Sequence, residues 1–78
     1  MKKIMILGDE SQQTQVLFDR MRFAAKSLGI EYELIKATNT KEISAFHVTK
    51  YPSIVIDGEV VLSGSIPDID ALVELLTT

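Results

Sequence analysis

The chain has 78 residues, no cysteine, one histidine, 46% hydrophobic residues and a net charge of −3. That length suits one domain close to the lower size limit for folding unaided, and the composition offers no disulfide and no zinc site to help it. Eight lysines and arginines lie scattered, with no run that could track a phosphate backbone, which argues against nucleic acid as a partner.

Residues 2–7 are a nearly continuous apolar run, the pattern of a strand covered on both faces. Met1-Lys2-Lys3 followed by Ile4–Leu7 matches a signal peptide for only a few residues. The run then stops at Gly8-Asp9-Glu10, too short for a signal core or a membrane span, so a soluble cytoplasmic domain is the expectation. The stretch Gly8–Thr14 carries hydroxyls, amides and two carboxylates where a strand hands over to a helix. A turn of that kind aims the first free N–H groups of the helix past the sheet edge.

The helical pattern runs from Gln13 to Leu28. Leu17, Met21, Ala24 and Leu28 recur at i, i+4, i+7 and i+11, and Phe18 and Ala25 widen the stripe. Ser11 is the expected N-cap, worth about 1 kcal/mol, and Gly29 the left-handed C-cap. Val16 and Phe23 lie one heptad apart and off the core stripe. They read as ordinary surface residues or, alternatively, as a contact patch for a partner or a second copy.

Ile30–Lys36 alternates apolar and charged residues, a half-exposed edge strand. Strand, crossover helix and strand make a right-handed parallel βαβ unit. Thr38-Asn39-Thr40 is a loop whose last residue caps a short helix over 41–47, with Ile43 and Phe46 facing the core. His47 falls on that helix as a surface or half-buried residue with no catalytic context. Ser53–Ile56, Asp57-Gly58 and Glu59–Leu62 make a hairpin signal, two β-branched runs around Asp-Gly. Gly64 ends the hairpin. Pro67 suits the first turn of a last helix, with Asp68 and Asp70 near its N-terminus and Ile69, Leu72, Val73 and Leu76 on its apolar face. The order is β-α-β-α-β-β-α.

That order, with Tyr51-Pro52 just before the hairpin, resembles the thioredoxin fold, and more narrowly the small thioredoxin-like proteins of glutaredoxin size called redox-active disulfide proteins. Tyr51–Glu59 looks like the family's cis-proline and hairpin. Ser11-Gln12-Gln13-Thr14 falls where the family carries Cys-x-x-Cys, and both cysteines are missing. The resemblance implies an α/β, four-stranded mixed sheet, with strands one and three central, two and four at the edges, and helices on both faces. It also implies a cis Tyr51–Pro52 bond, against the roughly one-in-twenty frequency of cis X-Pro bonds.

Disulfide exchange needs a thiolate and a resolving thiol, and a hydroxyl forms no disulfide, so this chain does not perform it. The expectation is a non-redox module that binds a protein, peptide or thiol ligand through Ser11, Gln12, Gln13 and Thr14 together with Tyr51, Pro52, Gly64 and Ser65. It has no catalytic residues, cofactor or metal. One alternative is a glutathione-binding or transferase-like protein using Ser11, although Asp9 and Glu10 would repel a thiolate there. Another is a structural subunit, such as a homodimer, that associates through Val16 and Phe23.

Overall fold

The computed structural model describes residues 1–77. Strand β1 (Lys2–Leu7) leads into helix α1 (Gln12–Leu28), strand β2 (Tyr32–Ala37), helix α2 (Thr40–Ser44), strands β3 (Ser53–Ile56) and β4 (Glu59–Ser63), and helix α3 (Ile69–Thr77). The four strands form one mixed sheet in the order β2-β1-β3-β4. β1 runs parallel to β2 and antiparallel to β3, and β4 is antiparallel to β3. The first and third strands are therefore central, as the resemblance implies.

Alternation along the strands divides the core in two. Ile4, Ile6, Ile54 and Ile56 face one side, where Leu17, Met21, Ala24 and Ala25 of α1 and Leu72 and Leu76 of α3 cover them. Leu7 and Val55 face the other, against Ala37 and Ile43, with Met5, Phe46, Val48 and Val60 at the margin. Most of the fully buried side chains belong to the first layer. Each such side chain contributes about 1.5–3 kcal/mol on burial, so the α1–α3 layer carries most of the stability.

The hairpin turn holds Asp57 at φ 52° and Gly58 at φ 85°. Two consecutive positive φ values are those of a type I′ turn, which suits Asp-Gly because glycine carries no Cβ to clash there. Asp57 also ties the turn to β1. Its N–H donates to the Lys3 carbonyl at 2.8 Å, and its Oδ1 accepts from the Lys3 N–H at 2.9 Å. In β4, Val55 pairs with Val60 while Ile54 pairs with Leu62, so Val61 is an extra residue. This bulge lets both Val61 and Leu62 pack on the α1–α3 side.

Several boundaries differ from those read off the sequence. β2 begins at Tyr32 rather than Ile30, because its partner β1 begins at Lys2 and pairs Lys2 with Tyr32. α1 begins one residue early, at Gln12. α2 is capped by Asn39, not Thr40, since Asn39 Oδ1 accepts the Lys41 N–H at 2.8 Å. It also ends at Ser44 rather than His47. The chain leaves it through tight turns, Phe46 N–H to Ile43 O and His47 N–H to Ser44 O, both 3.1 Å, which swing Phe46 onto the sheet. His47 is left exposed and outside the helix, at φ 57°. Pro67 precedes α3 instead of opening it, because Asp68 takes the cap, its Oδ1 accepting the Ala71 N–H at 2.9 Å. Among the described residues, no helix is long and apolar enough to cross a membrane.

Candidate functional site

The turn between β1 and α1 is built on a close approach. The Gly8 N–H donates to the Ala37 carbonyl at 3.2 Å, which extends the β1–β2 pairing by one residue. A Cβ placed on Gly8 would lie 2.6 Å from Thr14 Oγ1. Thr14 is itself buried, at 1% exposure, so it has little room to give way. Gly8→Ala is expected to destabilise the fold by about 1–3 kcal/mol, read from the urea midpoint.

Ser11 has extended backbone angles (φ −77°, ψ 163°) and caps α1, its Oγ accepting the Thr14 N–H at 3.4 Å. Its hydroxyl lies 3.3 Å from that of Thr14. Asp9 completes the cluster. Its Oδ1 accepts the Ser11 N–H at 3.1 Å and the Thr14 O–H at 3.3 Å. Two protons of the cluster, those of the Ser11 N–H and the Thr14 O–H, therefore point toward one carboxylate oxygen. Hydrogen bonding from Ser11, side chain first and backbone second, holds the Asp9 carboxyl below its ordinary value, and Thr14 adds to the effect.

A carboxyl with a lowered pKa in the folded state contributes stability above its unfolded value, and that contribution is lost as pH falls through the folded value. For Asp9 the loss lies below pH 3.8. The Ser11 and Thr14 amide resonances are expected to stay fixed from neutral pH down to that point and move below it. In Asp9→Asn that movement disappears.

Facing this turn is the segment before β3. The Tyr51–Pro52 bond is cis. Pro52 is buried and its carbonyl accepts the Gly64 N–H at 2.9 Å, while the Ser53 hydroxyl donates to the Lys50 carbonyl at 2.7 Å. Tyr51 is 46% exposed, and neither its backbone N–H nor its carbonyl has a partner among the described residues. Between the two segments lies a cleft of about 90 Å³ lined by Asp9, Ser11, Gln13, Thr14, Tyr51 and Pro52.

Five of the residues singled out from the sequence, Ser11, Gln13, Thr14, Tyr51 and Pro52, thus meet in one place. Gln12 is exposed at the start of α1 and does not line the cleft. Gly64 sits one hydrogen bond behind Pro52. Ser65 lies instead in a broader groove of about 590 Å³, with Leu62, Pro67 and Ala71. Arg20 fixes the strand-to-helix connection there, donating to the Pro67 carbonyl at 3.1 Å. Asp9 is the lining residue that the sequence reading left out of the site. The signal was present, because an aspartate two residues before a serine cap can accept the cap's own N–H.

Val16 and Phe23 lie on α1 away from the cleft. Val16 is half-buried and Phe23 is 60% exposed. Phe23→Glu is expected to change stability by less than about 0.5 kcal/mol, as for other surface substitutions. If α1 joins two copies, a concentration-dependent mass by sedimentation disappears in that variant.

A sequence model described as a thioredoxin domain matches residues 2–77. A thioredoxin from Methanothermobacter thermautotrophicus is 30% identical over 99% of this chain and all of its own length. One from Methanocaldococcus jannaschii is 29% identical over 94% of this chain and 84% of its own.

Proposed function

The chain belongs to the thioredoxin-domain family, and from that membership, with no cysteine in the chain, we propose a non-redox binding module that holds an extended peptide at the cleft between Ser11–Thr14 and Tyr51-Pro52. The observation that carries this reading is the open backbone of Tyr51. An N–H and a carbonyl without partners, on an exposed segment leading into a central strand, form an edge to which another extended chain can add. Each backbone hydrogen bond so formed contributes about 1 kcal/mol net. Two such bonds and a small cleft make a weak binder on their own, so side-chain contacts decide which peptide stays.

Glutathione is the competing ligand, because Ser11 retains a hydroxyl at the helix cap. The same hydroxyl is hydrogen-bonded within the Asp9–Thr14 cluster, beside a carboxylate that repels a thiolate. Both features favour the peptide reading.

The test is a two-dimensional amide NMR titration, first with reduced glutathione and then with a short extended peptide, each to millimolar concentration. Saturable shifts at Ser11–Thr14 and Tyr51 with the peptide are expected. Glutathione binding that is weakened by Ser11→Ala would favour the transferase-like reading instead. No shift with either ligand would remove the cleft as a site and turn attention to Phe23.

A further inference from the structure

We infer that the ligand of this cleft is basic: an extended peptide segment that places a lysine or arginine side chain against the Asp9 carboxylate. This rests on the peptide-binding reading above and narrows it to a chemical class.

Of the six residues lining the cleft, Asp9 is the only one with a charged side chain. Its position is held rather than floppy, since Oδ1 accepts both the Ser11 N–H and the Thr14 hydroxyl. Its other oxygen takes part in neither of those two bonds. Glu10, next in the chain, is exposed and does not line the cleft.

Two groups act in the opposite direction. The N-terminus of α1 carries a partial positive charge of about one half, smaller than the whole charge of Asp9. Lys50, next to Tyr51, is the nearby cation. Its stem packs over Gly64, with Cδ 2.9 Å from where a Gly64 Cβ would stand, and it does not line the cleft. The charge that lines the cleft is therefore negative. It disfavours a thiolate or carboxylate and favours an ammonium or guanidinium.

Size points the same way. A volume of about 90 Å³ is on the order of three water molecules. That admits the end of one side chain, while the backbone of the ligand stays outside along Tyr51.

The experiment compares three blocked peptides of the same extended sequence that differ only at the central residue: lysine, alanine or glutamate. Affinities come from the amide shifts of Ser11, Thr14 and Tyr51. An ion pair at about 4 Å in water-like surroundings gives a preference of about fivefold. The lysine peptide is expected to bind at least about fivefold more tightly than the alanine peptide, with glutamate weakest, and the preference should shrink at high salt.

Asp9→Asn retains an oxygen acceptor for Ser11 and Thr14. It is expected to bring the ratio of lysine-peptide to alanine-peptide affinity down to about one. Equal binding of the three peptides, or a lysine preference that survives Asp9→Asn, overturns this inference and leaves the peptide-binding reading standing. Failure of all three peptides to bind overturns both.

Discussion

Ser11→Cys together with Thr14→Cys is expected to convert a chain without thiol chemistry into one that closes a single intramolecular disulfide. In the native turn the two hydroxyl oxygens are 3.3 Å apart, on adjacent turns of a capped helix start. A disulfide requires its sulfurs about 2.05 Å apart and its Cβ atoms about 3.8 Å apart. Sulfur extends farther from Cβ than oxygen does, so the closure needs only a small adjustment of side-chain rotation. Position 14 is buried and position 11 half-buried. A thiol at position 11 is therefore the accessible one, able to attack an outside disulfide, with position 14 placed to resolve the product.

The helix N-terminus lowers the pKa of a thiol at position 11 from its ordinary value of about 8.5. Asp9 opposes this. Adding Asp9→Asn to the double variant is expected to lower that pKa further and speed its reaction with a disulfide reagent near neutral pH. The readouts are loss of both titratable thiols on mild oxidation, a mass drop of about two hydrogen atoms per chain, and no dimer on a non-reducing gel. Thiols that stay free, or that cross-link chains, would mean that the turn does not hold positions 11 and 14 together.

Leu72→Ala is expected to be the most damaging single truncation in α3. The helix has two buried side chains, Leu72 and Leu76, which fasten it to α1 and the sheet. Leu72 is fully buried. Truncating a fully buried leucine costs about 2–5 kcal/mol, from lost burial and the cavity left behind. A domain of this size has on the order of 4–12 kcal/mol in total. The urea midpoint should fall by about 1 M or more, and a large loss would leave part of the population unfolded at 25 °C. Glu74→Ala, an exposed change on the same helix, is the control and should stay within about 0.5 kcal/mol. A midpoint in Leu72→Ala equal to that of the control would mean that α3 is not docked as described.

Much of the site could be read in advance because it follows from local rules. Ser11 caps α1 because a short polar side chain can accept the Thr14 N–H three residues on. The hairpin follows from Asp57-Gly58, whose backbone angles few other pairs adopt easily. Other features followed from competition between local rules. Asn39 and Thr40 can both cap a helix, and so can Asp68 just after Pro67. In both cases a neighbouring Asx residue took the cap, Asn39 just before Thr40 and Asp68 just after Pro67.

The sequence by itself determined the order of elements, the two-sided burial of β1, and the absence of thiol chemistry from the family's usual turn. Those properties depend on periodicity, capping and residue identity, all of which act within a few positions along the chain. The family resemblance already joined Tyr51 to Ser11 in one site; only the tertiary structure decided that Asp9 lines the cleft between them and that Gln12 does not. It also decided that Ser65 turns into a different groove. Those facts depend on how β1 and β3 pair and where each leaves the sheet, and residues more than 35 positions apart meet only through that pairing.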